Sequence, residues 1–195
     1  MKTVLLAAGS SRRMAGRDKL LEIVEGLPLL RRQALAILSA DIGPVAITLS
    51  PDRAARQEAI ADLAVTILSV PDAGTGMSAS LRAAAVWAHD QPLMVCPADM
   101  PDLTAEDFAA MASAYRGAPL RATDCGGRAG HPVVFPPELL PMFTRLTGDE
   151  GARSILRVHP PDTVALPDRH ATTDLDTPED WEAWRAAVRS RPSTR

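Results

Sequence analysis

A lysine stands close to a glycine-containing stretch that follows the first apolar run, and this arrangement is suited to binding phosphate. The stretch reads Ala8-Gly9-Ser10-Ser11-Arg12-Arg13-Met14-Ala15-Gly16-Arg17-Asp18-Lys19. Small residues let backbone N–H groups approach an anion, while Arg13 and Lys19 can neutralise its charge. Of the 21 basic residues only Lys2 and Lys19 are lysines, and Lys and Arg are not interchangeable at phosphate sites. The alternative is a surface turn with solvated arginines, which composition favours equally.

Aspartates at two places in the chain could hold a divalent metal ion. Asp99 follows an apolar run at residues 93–96, and either Asp174 or Asp176 of the acidic segment at residues 173–180 could supply a second ligand. Proteins usually bind Mg²⁺ through one or two carboxylates together with substrate phosphates. The alternatives are a turn aspartate before Pro101 and a capped start for the C-terminal helix.

Short apolar runs alternate with helical patterns along the chain. The predicted strands are residues 3–7, 45–49, 65–70, 93–96, 131–135 and 163–166. The predicted helices are residues 29–39, 52–62, 78–89, 104–115, 151–158 and 177–190. Continuous apolarity is typical of strands that are covered on both faces of a parallel sheet.

The pattern predicts an α/β fold with a doubly wound, mostly parallel sheet in three αβα layers. We expect a single domain over residues 1–190 and a frayed tail at 191–195. Ligands of such sheets bind at the carboxyl ends of the strands. The glycine-containing stretch and Asp99 should therefore lie at one edge of the sheet.

Composition excludes several classes of function. A net charge of −3 over 195 residues gives no broad cationic surface, so we expect no nucleic-acid partner. Two cysteines are too few for a disulfide scaffold or a cysteine-rich zinc site, and they suit a reducing cytoplasm. No stretch approaches the roughly 20 apolar residues of a transmembrane helix, so we expect a cytoplasmic protein with no membrane partner.

The combination of motifs resembles a known family. Leu6-Ala7-Ala8-Gly9-Ser10-Ser11-Arg12-Arg13-Met14 followed by Lys19-Leu20-Leu21 is similar to the signature of the MobA-like nucleotidyltransferases. Within that family it most resembles the molybdenum cofactor cytidylyltransferases. Five more stretches match in the family's order, at residues 76–81, 98–101, 130–132, 148–153 and 174–180.

The resemblance implies a Rossmann-like α/β fold. It also implies Mg²⁺-dependent transfer of a nucleotidyl group, in which an acceptor phosphate attacks the α-phosphorus of a nucleoside triphosphate and pyrophosphate leaves. The catalytic residues it implies are Lys19, Arg13 and Asp99, and the Mg²⁺ ligands are Asp99 and Asp176. The nucleotide-binding residues it implies are Ala7, Ala8, Gly9, Ser10, Ser11, Arg13, Lys19, Gly74, Gly76, Ser78 and Ser80. The acceptor-binding residues it implies are His131, Gly148, Asp149 and Arg153. Taken by itself, His131 is more typical of a turn histidine.

Two positions in the first motif distinguish this chain within the family. Guanylyltransferase relatives typically have Leu-Ala-Gly-Gly at the loop and cytidylyltransferase relatives Leu-Ala-Ala-Gly, so Ala8 favours CTP over GTP. The family commonly has two glycines after Arg-Met, and the first of them is Ala15 here. If that position needs a positive φ, alanine strains the loop.

The leading hypothesis is transfer of CMP from CTP to a molybdopterin-type molybdenum cofactor, with a molybdenum hydroxylase as a possible partner. One alternative is the same chemistry with GTP or with another phosphate acceptor, such as a sugar phosphate. Another is a non-catalytic, cofactor-binding maturation protein, against which the paired carboxylates argue. A nicotinamide-dependent oxidoreductase is poorly supported because no G-x-G-x-x-G follows the first strand.

Overall fold

The apolar runs form a central sheet in the computed structural model of the chain, which describes residues 1–11 and 13–190. The strands are β1 (Lys2–Leu6), β2 (Ile23–Val24), β3 (Leu27–Pro28), β4 (Val45–Leu49), β5 (Thr66–Ser69), β6 (Leu93–Pro97), β7 (Leu120–Thr123), β8 (Ala129–Phe135) and β9 (Asp162–Ala165). The α-helices are α1 (Leu29–Ser39), α2 (Ala54–Glu58), α3 (Met77–Ala88), α4 (Ala105–Ala114), α5 (Arg153–Val158) and α6 (Pro178–Ser190). Three 3₁₀ segments cover Lys19–Leu21, Ala73–Thr75 and Pro137–Arg145.

Seven strands form one sheet in the order β5-β4-β1-β6-β8-β7-β9, and β2 pairs with β3 in a separate hairpin. The pairs β4–β5, β1–β4, β1–β6 and β7–β9 are parallel. Strand β8 runs antiparallel to both of its neighbours, β6 and β7. The predicted mostly parallel, doubly wound sheet of a single domain is therefore confirmed.

Alternate residues of the central strands point to opposite faces, and each face is covered by helices. Leu5, Ile47 and Met94 belong to one apolar cluster, which includes residues of α1, α4 and α6. Val4, Ala46 and Val95 belong to the other, which includes residues of α3, the 3₁₀ segment Pro137–Arg145 and α5. Burial on both faces explains why the strand sequences are continuously apolar, and it produces the predicted three layers.

The C-terminal helix α6 packs onto the same core as the first strands. Trp181 is fully buried in the cluster that contains Leu5. Trp184 donates a hydrogen bond from Nε1 to Asp102 Oδ1 at 3.0 Å. The predicted tail at residues 191–195 lies outside the described residues, so that prediction stays open.

One predicted helix differs from the structure, and one strand of the seven-stranded sheet was not predicted. The helix predicted at residues 52–62 is α-helical only over Ala54–Glu58, because the N–H groups of Ile60, Ala61 and Leu63 donate to carbonyls three residues back. Strand β7 was not predicted, since proline and glycine residues surround it in the sequence. Among the helices of the described part of the chain, none has the length and apolarity needed to cross a membrane.

Candidate active site

The carboxyl ends of β1 and β6 open into a cavity of about 920 Å³. This is the edge at which a parallel sheet binds its ligands. Most residues that the sequence assigned to a site line it: Ala7, Ala8, Gly9, Ser10, Ser11, Arg13, Lys19, Gly74, Gly76, Ser80, Asp99, His131, Asp149, Arg153 and Asp176. Ser78 and Gly148 are not part of the lining.

The loop after β1 turns tightly before it reaches Lys19. Ser11, Ala15 and Gly16 have φ values of 52°, 50° and 85°. The left-handed region costs a residue with a Cβ about 1–2 kcal/mol. The glycine that the family usually has at position 15 would carry no such cost, so the substitution by alanine does strain this loop.

Lys19 lies between two carboxylates. Its Nζ donates to Asp99 Oδ2 at 2.5 Å and to Asp176 Oδ1 at 2.6 Å, and its side chain is 15% exposed. Burial by itself lowers the pKa of Lys19, but the charge of Asp99 and the hydrogen bonds to both carboxylates outweigh it and raise this pKa. The ammonium is therefore charged throughout the neutral pH range.

The turn that carries Lys19 is capped by the residue before it. The Asp18 side chain accepts a hydrogen bond from the backbone N–H of Leu20 at 3.0 Å, which closes the start of the 3₁₀ segment Lys19–Leu21. Such caps satisfy donors that have no partner at a helix start. The position of the lysine backbone therefore depends on Asp18.

The carboxylates near Lys19 form an acidic cluster that fits a divalent cation. Arg13 pairs with Asp176 at 2.8 Å. Burial, and then the charges of Asp99 and Asp176, raise the pKa of Asp174. Asp99 Oδ1 is buried and has no hydrogen-bond partner among the described residues. An unpartnered carboxylate oxygen next to a second carboxylate is the donor set that Mg²⁺ uses when phosphates supply its other ligands.

The carboxylate pair does not form a complete metal site by itself. Within residues 1–11 and 13–190, no group of three or more His, Cys, Asp or Glu side chains is arranged to hold an ion. A cation at Asp99 and Asp176 would take its remaining ligands from substrate or water.

The glycines at residues 74–76 border the cavity and contact a second loop. Gly76 has a φ of 115°, and a Cβ at this position would collide with the backbone of Gly148. The Ser78 N–H donates to the Gly148 carbonyl at 3.1 Å, and the Ser78 hydroxyl accepts from Arg82 at 3.2 Å. Ser78 and Gly148 thus join the two loops behind the cavity wall.

The cavity is also rich in arginine. Arg121, Arg128 and Arg153 line it together with His131 and Asp149. The Arg121 Nε donates to the Gly130 carbonyl at 3.0 Å. Three guanidinium groups around one space favour an anionic ligand.

His131 is a neutral imidazole in this arrangement. The pKa of His131 is lowered from 6.5 to about 4, mainly by burial and next by the charge of Arg121. Its Nδ1 is buried and has no hydrogen-bond partner within the described structure. At neutral pH one nitrogen of the ring is therefore a hydrogen-bond acceptor.

The sequence did not predict Arg56, Arg121 or Arg128 as site residues. Arg121 lies on the unpredicted strand β7, and the apolar neighbours Leu120 and Ala122 were the available signal for that strand. Arg56 lies in α2 beneath the loop after β1, where its guanidinium contacts backbone carbonyls. Nothing in the local sequence distinguishes it from an exposed helix arginine.

The fold places cationic and carboxylate side chains in one cavity at the carboxyl edge of the sheet, and comparison with known proteins shows the family to which the chain belongs. The profile of the MobA-like NTP transferase domain matches residues 3–164. The chain belongs to this family and is a nucleotidyltransferase by family. None of the curated proteins searched matches the chain.

Solved structures share the fold over almost the entire chain. The Rv0371c homologue from Mycobacterium sp. strain JC1 is 27% identical with a TM-score of 0.77, covering 97% of this chain and 98% of that one. A nucleotidyl transferase from Methanothermobacter is 16% identical with a TM-score of 0.80 and the same coverages. A manganese complex of Rv0371c from Mycobacterium tuberculosis is 22% identical with a TM-score of 0.73, again over 97% and 98%.

Proposed function

We propose that the protein is a Mg²⁺-dependent cytidylyltransferase that transfers CMP from CTP to a molybdopterin-type molybdenum cofactor and releases pyrophosphate. One observation carries the proposal: the Lys19 ammonium lies 2.5 Å from Asp99 and 2.6 Å from Asp176, and all three line the same cavity as the glycine-containing loop and five arginines. The cavity thus combines cations for a triphosphate, carboxylates for a metal ion and a second cationic region for an acceptor.

The proposed reaction replaces one phosphoanhydride bond by another. A phosphate oxygen of the acceptor forms a bond to the α-phosphorus of CTP. The bond from that phosphorus to the oxygen bridging the β-phosphate breaks, and pyrophosphate leaves with the electron pair. Chemistry of this kind depends on positioning and on neutralising the charge that develops on the phosphoryl oxygens.

Each cationic residue has a distinct part in this proposal. Lys19 is a compact point charge on a flexible stem, suited to following the α-phosphate as its bonds change, whereas the planar guanidinium of Arg13 suits the triphosphate at rest. Asp99 and Asp176 would hold Mg²⁺, which neutralises triphosphate charge when bound. The unpartnered Asp99 Oδ1 supports this assignment.

The preference for CTP rests on Ala8 and its surroundings. Ala8 is 6% exposed and belongs to a small apolar cluster with Val70 and Ala79. Its methyl group therefore occupies space between the loop after β1 and the region that borders the base. A glycine at this position, as in guanylyltransferase relatives, would leave that space open.

The arginines of the cavity support an acceptor that carries its own phosphate. Arg121, Arg128 and Arg153 line the cavity together with the neutral ring of His131. A phosphorylated acceptor would bring its anion to these arginines, and a molybdenum hydroxylase would be a partner that receives the product.

Pyrophosphate release with each nucleoside triphosphate, with and without the molybdopterin-type acceptor and Mg²⁺, tests the proposal. We expect release with CTP, acceptor and metal together. Release with GTP in place of CTP would refute the nucleotide assignment, and release only with a sugar phosphate would refute the acceptor. Tight CTP binding with no release in the full mixture would instead favour a cofactor-binding maturation protein.

The two lysines of the chain provide a matched pair for the site assignment. Lys2 donates to the Trp87 carbonyl at 2.7 Å and is not a cavity residue. We expect Lys19→Met to lower kcat by about 100-fold or more, which is typical for loss of one transition-state charge contact, and Lys2→Met to change it less than about twofold. Full activity in Lys19→Arg would mean that any cation suffices at that position.

A further inference from the structure

Arg56 is a fully buried arginine with every guanidinium N–H satisfied. Its Nε donates to Asp18 Oδ2 at 2.7 Å, and its Nη2 donates to Asp18 Oδ1 at 2.8 Å and to the Ser11 hydroxyl at 3.0 Å. Its Nη1 donates to the carbonyls of Ala7 and Gly9 at 2.6 and 2.7 Å. Arginine is almost never fully buried unless it is paired, so this side chain occupies a position built for it.

The contacts of Arg56 orient the peptide units of the loop after β1. In a trans peptide the C=O and the N–H point in opposite directions. Since the carbonyls of Ala7 and Gly9 point to Arg56, the N–H groups of Ala8 and Ser10 point away from it. Residues 7–11 line the cavity and Arg56 does not, so these N–H groups are directed to the cavity side.

The same guanidinium also holds the turn that carries Lys19. Asp18 receives two hydrogen bonds from Arg56 and one from the Leu20 N–H. Burial raises the pKa of Asp18, but the hydrogen bond and the charge of Arg56 outweigh it, and the net effect lowers this pKa. The buried Arg56 side chain therefore joins the glycine-containing loop to the turn that carries Lys19.

We infer that Arg56 is a positioning residue for nucleotidyl transfer, which keeps the loop N–H groups and the Lys19 turn in the geometry that binds a triphosphate. This role rests on the proposed function. Arg56 reaches the substrate only through the loop, so its loss should weaken triphosphate binding as well as turnover.

Arg56→Lys tests the inference, with Arg31→Lys as the matched control. Arg31 also forms a two-point pair with an aspartate, Asp62, at 2.5 and 2.8 Å, and also donates to a backbone carbonyl, that of Ala59, at 3.0 Å. A lysine keeps the charge in both variants but cannot make the forked contacts. The probe is inorganic tripolyphosphate with Mg²⁺, because it needs neither base nor acceptor.

We expect Arg56→Lys to raise the Kd for tripolyphosphate and the KM for CTP by about tenfold or more, and Arg31→Lys to change both less than about twofold. Asp18→Asn, which keeps the side-chain shape, should also raise both constants and serves as the second variant if Arg56→Lys does not fold. Phe143→Leu changes a buried residue of the core. Compared with Arg56→Lys at equal loss of thermal stability, it should keep the Kd of the parent protein.

Three results would contradict the inference. Parent-like affinity for tripolyphosphate in folded Arg56→Lys would refute it, and so would parent-like affinity in Asp18→Asn. An equal loss of affinity in Phe143→Leu would reduce the role of Arg56 to general stability. Failure of the unmodified protein to bind tripolyphosphate with Mg²⁺ would refute the proposed function itself.

Discussion

Acidification should destabilise the fold through His131. The pKa of this ring is about 4 in the folded chain, chiefly because it is buried and next because Arg121 is near, against an ordinary value of 6.5. Below pH 6.5 the unfolded chain therefore gains a proton that the folded chain does not bind. The stability that depends on the neutral ring is fully present above pH 6.5 and is lost as the pH falls towards 4.

The size of the effect follows from the two pKa values. At about pH 5 the unfolded histidine lies roughly 1.5 pH units below its ordinary pKa, while the folded ring is still mostly neutral. At about 1.4 kcal/mol per unit, the fold loses about 2 kcal/mol between pH 7.5 and pH 5 through this residue. Part of the ring faces the cavity, so about 2 kcal/mol is the upper end of the expected loss in unfolding free energy.

Urea unfolding at both pH values, on the parent and on His131→Gln, measures this contribution. The parent should lose about 2 kcal/mol more of its unfolding free energy on acidification than His131→Gln does. His89→Gln is the control, since the His89 side chain is 82% exposed, and it should follow the parent.

An equal loss in the parent and in His131→Gln would refute the reasoning. The ring would then take up its proton in the folded chain as easily as in the unfolded chain, despite its burial and Arg121. A second outcome connects the ring to the site: a phosphorylated acceptor bound at the arginines should recover part of the loss, because an anion near His131 favours its charged form.

Three further substitutions test other parts of the structure. Ala15→Gly should raise the unfolding temperature by about 2–4 °C. It relieves about 1–2 kcal/mol of left-handed strain, which exceeds the about 0.4–1 kcal/mol lost because glycine gives the unfolded chain more conformational entropy. A lower unfolding temperature would contradict the positive φ. Gly76→Ala should raise the KM for the nucleotide and for the acceptor together, because the added Cβ collides with Gly148, and steady-state kinetics with unchanged constants would contradict that contact. Trp181→Ala should cost about 3–5 kcal/mol in urea unfolding, whereas a loss below about 1 kcal/mol would mean that α6 is not part of the core.

The sequence predicted the fold well because the fold depends on patterns that are local. Continuous apolar runs identified β1, β4 and β6, whose burial on both faces gives them their composition. The first loop and Asp99 were expected at one edge because parallel strands end at the same side. The predictions of these strands and of the shared edge depend on the apolar pattern and on the topology, and not on contacts between side chains.

Contacts between distant segments could not be predicted in the same way. The bridge from Lys19 to Asp176 joins residues far apart in the chain, and each residue by itself resembles an ordinary surface charge. Arg56 is still harder to recognise, because its function is to satisfy backbone carbonyls that carry no sequence signal. Arg121 was not predicted because β7 was not predicted: the strand has only four residues, and the proline and glycine residues around it are typical of loops.

The contact between Gly76 and Gly148 has a consequence for the affinities of the two proposed substrates. One glycine belongs to the loop proposed to border the nucleotide and the other to the loop proposed for the acceptor, and they touch through backbone atoms that have no freedom to repack. If either loop shifts when its ligand binds, the other must shift with it. The two affinities would then be coupled, and by thermodynamic linkage the factor by which nucleotide changes acceptor affinity equals the factor by which acceptor changes nucleotide affinity.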